Sequence, residues 1–289
     1  HLDFHGDFDN YRSTKMQLFE IGEGDHDFGE NRIAVVNMGD QTGKVISNET
    51  PLRKLTFGLD CDADVVGRIT KADWQGTTLE IGFAGKTVSV DSRLRGRSNA
   101  ENILTAFAIA KALGIEDDAI VKGIASMDHV PGRMEVISGM GRIAIVDYAH
   151  TPDALRRLLV DVRSLAPSRL ICVFGCGGDR DRGKRPEMGR IVAELADVAI
   201  VTSDNPRTED PQKIIDDILA GIPDESVCLV ESDRAAAIRK AVEISREDDV
   251  IVVAGKGHED YQIIGTQRIP FDDREVVRAA LGVNADARS

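Results

Sequence analysis

Leu170-Ile171-Cys172-Val173-Phe174-Gly175-Cys176-Gly177-Gly178-Asp179-Arg180 decides the fold. Its first five residues are apolar without polar alternation, as in a strand covered on both faces. A Gly-rich polar loop follows at once, and loops at the carboxyl ends of strands are where open α/β sheets gather ligands. Outward from this point the pattern returns. Ala144-Asp147, Val198-Thr202, Val227-Val230 and Val250-Ala254 read as further strands with the same double-sided burial. Helices alternate with them. Thr151-Pro152-Asp153 supplies an N-cap, a proline at the first helical position and an acid in the first turn, ahead of the stripe Leu155, Leu158, Leu159 and Val162. Asp210-Pro211 repeats the device before Ile214, Ile215 and Ile218. From Arg133 onward the alternation predicts an open, mostly parallel α/β sheet.

Towards the N-terminus the texture changes. Asp9 to Glu20 predicts a helix and Arg32 to Asn37 a short buried strand. Val65-Ile69, Thr78-Phe83 and Thr87-Val90 alternate apolar and polar residues around Gly76 and Gly85, which predicts an antiparallel meander. Ser98-Asn99-Ala100-Glu101 fits a capping box, followed by the helical face Ile103, Leu104, Phe107, Ala110 and Leu113, with Gly114 as the stop. Proline and glycine in Asp128-His129-Val130-Pro131-Gly132 mark the boundary, giving expected domains 1–131 and 132–289 and a hinge between them.

Bulk properties exclude several classes. The 289 residues, 42% hydrophobic, allow one large domain or two smaller ones. A net charge of -13 argues against a nucleic-acid-binding face, which needs clustered Lys and Arg. No apolar run is long enough to span a bilayer and no signal-peptide pattern is present, so membrane insertion is not expected. Cys61, Cys172, Cys176 and Cys228 match neither a zinc ribbon nor a secreted disulfide framework, and read as reduced structural thiols of a cytoplasmic protein.

Four strand ends carry polar, Gly-rich segments: Asp147-Pro152, Gly175-Arg185, Ser203-Thr208 and Gly255-Asp260. Arginine offers a planar fork to a carboxylate, glycine lets the backbone approach a ligand, and Asp204 with Asn205 can meet the two charges of a zwitterion. Any one such loop is more often a solvated connection. Four on successive strands point to a site. No GxxxxGK[ST] occurs, and Arg180 stands where a dinucleotide fingerprint needs its third glycine.

DYAHTPDAL (Asp147-Leu155), FGCGGDRDRGKRPEMG (Phe174-Gly189), DNPRTEDP (Asp204-Pro211) and GKGHEDYQ (Gly255-Gln262) together resemble the Mur ligases. These are the ATP-dependent amino-acid ligases of peptidoglycan assembly, and the likeness is to the branch that adds meso-2,6-diaminopimelate to UDP-N-acetylmuramoyl-L-alanyl-D-glutamate. The resemblance covers essentially the whole chain. It implies a C-terminal Rossmann-like domain, preceded by the latter part of a mixed α/β central ATPase domain. It also implies that the UDP-binding domain and the ATP phosphate loop are absent, so that the isolated chain is inactive.

By the same resemblance Arg180, Asp204, Asn205, Pro206, Arg207, Gly255 and Glu259 form the diaminopimelate site. Arg207 forks onto a carboxylate, and Asn205 and Glu259 read the far amino-acid end. Lys15 matches a carbamylated lysine and His1 a histidine, both magnesium ligands. Asn102 and Arg133 contact ATP, and Asp147 and His150 face the nucleotide as catalytic groups. Without the resemblance Lys15 is a surface helix lysine, His1 a lone terminal histidine, Asn102 a polar helix residue and Arg133 a linker charge. The implied partners are Mg2+, ATP, the UDP-N-acetylmuramoyl-dipeptide and meso-diaminopimelate, on a monomer. The rival readings are a non-catalytic amino-acid-binding module, a lysine-adding ligase and a folylpolyglutamate-type ligase.

Overall fold

Unbroken apolar strands need cover on both faces, and in the computed structural model the second half of the chain supplies it. The structure describes residues 8–20, 32–165 and 167–283, and the chain divides into two units, His1–Asp128 and His129–Ser289.

The first unit holds a five-stranded sheet in the order β1 (Ile33–Asn37), β2 (Arg53–Leu59), β3 (Val65–Asp73), β4 (Gly76–Phe83), β5 (Lys86–Ser92). β1, β2 and β3 run parallel, while β3, β4 and β5 form the antiparallel meander that the alternation predicts. Helix α1 (Phe8–Glu20) precedes the sheet, and α2 (Gln41–Glu49) joins β1 to β2. α3 (Arg97–Ala112) and α4 (Asp117–Ala125) follow β5. Ile103, Leu104 and Phe107 of α3 are buried with Leu79, Ile81 and Val90 of the meander. The expected capping box is corrected: α3 begins at Arg97 behind Gly96 (φ 83°), without a side-chain cap, so Ser98 lies inside the helix. The positive φ that lets the chain enter here suits glycine better than serine.

The second unit holds a six-stranded sheet in the order β10 (Cys228–Val230), β9 (Val198–Val201), β8 (Leu170–Phe174), β11 (Val250–Ala254), β7 (Arg142–Asp147), β6 (Glu135–Gly139). All neighbours are parallel except β6 and β7. The intervening helices are α5 (Pro152–Ser164), α6 (Lys184–Leu195), α7 (Pro211–Leu219) and α8 (Arg234–Ile244), and α9 (Asp273–Ala280) closes the unit. Alternate strand residues (Ala144, Val146, Ile171, Val173, Ile200, Ile251, Val253) pack with Ala237, Ile238 and Ala241 of α8 and Val277 of α9. Thr151 caps α5 and Asp210 caps α7, each accepting a backbone N–H. One expectation fails. Val227-Val230 is not covered on both faces, because β10 is the last strand of the sheet and leaves Val227 60% and Val230 47% exposed. A hairpin of β12 (Tyr261–Ile264) and β13 (Gln267–Pro270) follows β11.

The strand order positions the site. β8 connects outward to β9 and β10, while β11 returns to lie between β8 and β7. The loops after β9, β8, β11 and β7 therefore stand side by side at the carboxyl edge, around a topological switch point.

Candidate functional site

At the exit of β9, Thr202 through Pro206 are all buried. Asp204 and Asn205 lie against the exit of β11, whose Lys256 is wholly buried. The Lys256 ammonium donates to Asn205 Oδ1 at 3.0 Å, Glu259 Oε2 at 3.2 Å and Asp204 Oδ1 at 3.4 Å. Asn205 Nδ2 donates to the same Glu259 oxygen at 3.0 Å, and Ile263 N donates to Asn205 Oδ1 at 3.0 Å. Gln262 Nε2 donates to the Asp204 carbonyl. The DNPR and GKGHEDYQ segments thus form one hydrogen-bonded cluster. Gly255 (φ 121°) brings the backbone beside Asp204, whose Oδ2 stands 3.3 Å from where a Cβ would be. Below it, buried Arg234 pairs with buried Asp273 at 2.7 and 2.8 Å and donates to the Ala254 carbonyl at 3.0 Å.

Arg207 has a left-handed backbone (φ 52°) and is clamped on both sides by the β12–β13 hairpin. Its N–H donates to Ile263 O and its carbonyl accepts from Gly265 N. The guanidinium turns back to donate to Gly178 O at 2.7 Å, while Gly178 N donates to Asn205 O at 2.9 Å. Asp179 (φ 53°) accepts from the Thr208 N–H and hydroxyl. The Gly-rich loop and the DNPR loop are therefore laced together. Under them, buried Arg185 donates to both oxygens of Glu209 at 2.8 and 3.1 Å and to Asp217 at 2.9 Å. The Arg185 hydrogen bonds, with help from Asp179 N, hold the Glu209 carboxyl down at about 2. Arg180 is exposed and donates to the Asp179 carbonyl at 3.2 Å.

At the β7 exit, Asp147 accepts from Met134 N and Ala149 N, both at 2.7 Å. Burial pushes its carboxyl above the ordinary range against those two bonds. The Nδ1–H of His150 donates to the Tyr148 carbonyl at 2.8 Å. Tyr148 is ringed by His150, His258 and the Arg133 guanidinium, at 4.6, 5.2 and 4.8 Å. Gly132 (φ 64°) packs so closely on Gly257 and His258 that a Cβ would stand 2.1 Å from His258 N, so this end of the expected hinge is fixed within the second unit.

Arg133, Asp147, His150, Arg180, Asp204, Asn205, Pro206, Arg207, Gly255 and Glu259 all belong to the second unit. Asn102 and Lys15 belong to the first. Asn102 is exposed on α3 and donates to Asn99 Oδ1 at 3.4 Å. Lys15 is exposed on α1 over the Tyr11 ring at 5.6 Å, and His1 lies outside the described residues. Among the described residues no three His, Cys, Asp or Glu side chains converge on a metal position. Lys15 by itself does not make the multi-oxygen set that a magnesium ion takes. Lys256, Arg185, Glu209 and the Arg234–Asp273 pair carry no role in the sequence reading. Lys256 stands inside a quoted motif, but only its burial separates it from a solvent-facing loop lysine.

The family model described as "Mur ligase, glutamate ligase domain" matches residues 132–257, and "Mur ligase middle domain" matches residues 1–110. The UDP-N-acetylmuramoyl-L-alanyl-D-glutamate--2,6-diaminopimelate ligase of Thermosynechococcus vestitus is 45% identical over 285 residues, 97% of this chain and 56% of that protein. Its namesake from Trichormus variabilis is 47% identical over 286 residues, with the same coverage of 97% and 56%. A solved structure of an enzyme of the same name superposes with a TM-score of 0.61 at 36% identity, covering 96% of this chain and 57% of that one. The chain spans a little over half the length of these relatives. With a middle and a C-terminal domain both matched, the chain belongs to the Mur ligase family.

Proposed function

We propose that this chain provides the amino-acid site, and part of the ATP-binding region, of a ligase that joins meso-2,6-diaminopimelate to UDP-N-acetylmuramoyl-L-alanyl-D-glutamate. The observation that carries this reading is the single cluster formed by Asn205, Glu259 and Lys256, with Arg207 on the same loop. In the reaction, the γ-phosphoryl of ATP passes to the terminal carboxylate of the nucleotide dipeptide, giving an acyl phosphate and ADP. The neutral amine of diaminopimelate attacks the acyl carbon, loses a proton and expels inorganic phosphate. The contribution of these residues is positioning and charge complementarity.

Arg207 receives a carboxylate of the incoming amino acid in bidentate fashion. Asn205 and Glu259 take the far carboxylate and ammonium. Lysine lacks that far carboxylate and would leave a buried donor unpaired, which disfavours it strongly. Asp204, Pro206 and Gly255 shape the floor, and Arg180 closes from the exposed Gly-rich loop. On the nucleotide side, Arg133 and Asn102 are assigned to ATP, with His150 at the β7 exit. Asp147 acts through the backbone that it ties down. Lys15, carbamylated, and His1 are the magnesium ligands in this reading, and no step rests on them. Residues 1–131 and 132–289 are read as the later part of a central ATP-binding domain and a Rossmann-like amino-acid-binding domain. No helix among the described residues is long and apolar enough to cross a membrane.

The test is a ligand-detected NMR titration of the chain with meso-diaminopimelate, competed with L-lysine. Saturable binding that lysine does not displace, and that Arg207→Ala weakens by about 10-fold or more, supports the reading. Equal binding of lysine overturns the assigned specificity.

A further inference from the structure

We infer that Lys256 is a positioning residue that sets which hydrogen-bonding groups Asn205 and Glu259 present to the substrate, and so makes the site selective for a zwitterionic end. This rests on the amino-acid-site reading above and deepens it. A side-chain amide is nearly symmetric in shape, so something must decide which end faces the ligand. Here two donors converge on one atom. Lys256 Nζ and Ile263 N both point at Asn205 Oδ1, each at 3.0 Å. An ammonium has no acceptor capacity, so the amide nitrogen cannot occupy that position. The Asn205 Nδ2 is thereby placed on the Glu259 side, where it donates to Glu259 Oε2, and its second hydrogen is the one we assign to a ligand acceptor.

The same ammonium orders Glu259. Its Oε2 accepts from Lys256 and from Asn205, at 3.2 and 3.0 Å. Among the described residues, Tyr261 Oη donates to Oε1 at a long 3.5 Å. Held this way, the cluster has an amide N–H and a carboxylate oxygen to set against the carboxylate and ammonium of an α-amino acid. Charge points the same way. Arg234 is matched by Asp273, while the one ammonium of Lys256 faces two carboxylates, Asp204 and Glu259. Lys256 is wholly buried and gains no contact with a ligand itself. Its effect passes through the two side chains that it holds.

Calorimetric binding of two ligands to the full chain tests this: meso-diaminopimelate, and L-2-aminopimelate, which keeps both carboxylates but has one ammonium. The unmodified chain should prefer diaminopimelate by about 10-fold or more, the worth of one charge-assisted hydrogen bond. In Lys256→Met that preference should fall to about twofold or less, because Asn205 and Glu259 lose their fixed presentation. A lysine that only supports the fold would weaken both ligands together and keep the ratio, which overturns the inference. Loss of folding is covered by a second measurement on the unmodified chain, labelled at lysine Nζ. The buried ammonium should give a slowly exchanging NMR signal that shifts in step with diaminopimelate saturation, and a signal indifferent to saturating ligand overturns the inference. If the unmodified chain binds neither ligand, the site reading falls and this inference with it. Binding with an unchanged ratio in Lys256→Met removes the role of Lys256 alone.

Discussion

Gly178→Ala probes the site through its backbone. A Cβ at Gly178 would stand 1.9 Å from the Pro206 carbonyl oxygen, 2.8 Å from its carbon and 3.2 Å from Ile214 Cδ1. The first two are backbone atoms, so no side-chain rotation relieves the clash. Opening 1.9 Å to the 3.0 Å that real contacts respect moves the DNPR loop by about 1.1 Å. That loop carries Asn205, whose carbonyl accepts from Gly178 N, and Arg207, whose guanidinium donates to Gly178 O. Overpacking of this kind costs about 1–3 kcal/mol, or roughly 2–4 °C of melting temperature per kcal/mol for a unit of this size. Displacement of positioning groups by about 1 Å costs on the order of 100-fold in what they position. The expected result is a folded protein, melting somewhat lower, whose calorimetric Kd for meso-diaminopimelate rises by about 100-fold. Gly177→Ala is the control. Its Cβ meets a side-chain end, the Arg207 guanidinium at 2.9 Å, and only ordinary contacts at 3.8 Å with Arg180 Cγ and the Asn205 carbonyl, so the backbone of the DNPR loop need not move and its effect should be smaller. A Gly178→Ala protein that binds within about twofold of the parent, or a control that loses as much, refutes the claim that close approach of the two loops sets the site.

The remaining predictions use the same interactions. Arg234→Met leaves Asp273 as a buried, unpaired carboxylate and should cost about 3–5 kcal/mol in urea unfolding, most of it recovered by adding Asp273→Leu. The folded pKa of Glu209, about 2, lies below its ordinary 4.5. Its stabilising contribution is therefore full above pH 4.5 and lost as pH falls through about 2. The urea midpoint should decline across that window, and Glu209→Gln should flatten that part of the profile. Burial pushes the Cys176 thiol up to about 12 and raises that of Cys172, whereas Cys61 and Cys228 are partly exposed. A disulfide reagent near neutral pH should titrate Cys61 and Cys228 in the native protein and the other two only after unfolding. Reaction of Cys176 in the folded state would contradict its placement under α6.

Much of the fold was legible because its signals are local. The apolar runs from Ala144 to Ala254 need no neighbours to declare themselves buried, and Thr151-Pro152 and Asp210-Pro211 announce helix starts by their own chemistry. What failed depends on neighbours. Val227-Val230 has the composition of an interior strand, yet the strand order leaves β10 at the edge. Ser98 belongs to a plausible capping box, but Gly96 had already turned the chain into the helix. β6 offers only Val136 and Ile137 between polar residues and glycine, and is a strand because β7 pairs with it. The β12–β13 hairpin was unread, although Ile263 and Gly265 are what hold Arg207 in its left-handed conformation.

By itself the sequence determined the fold class, the polar, Gly-rich strand ends, and the motif segments that align this chain with the Mur ligases, because each is written in residues close together in the chain. Only the tertiary structure decided which of those residues act on one another. Lys256 lies 51 positions from Asn205 and reaches it because β11 returns beside β8 and β9. Arg234 lies 39 positions from Asp273, and the two meet where α8 and α9 pack on the same face of the sheet. A buried charge is tolerated only where a partner is in place, and strand order is what brings that partner.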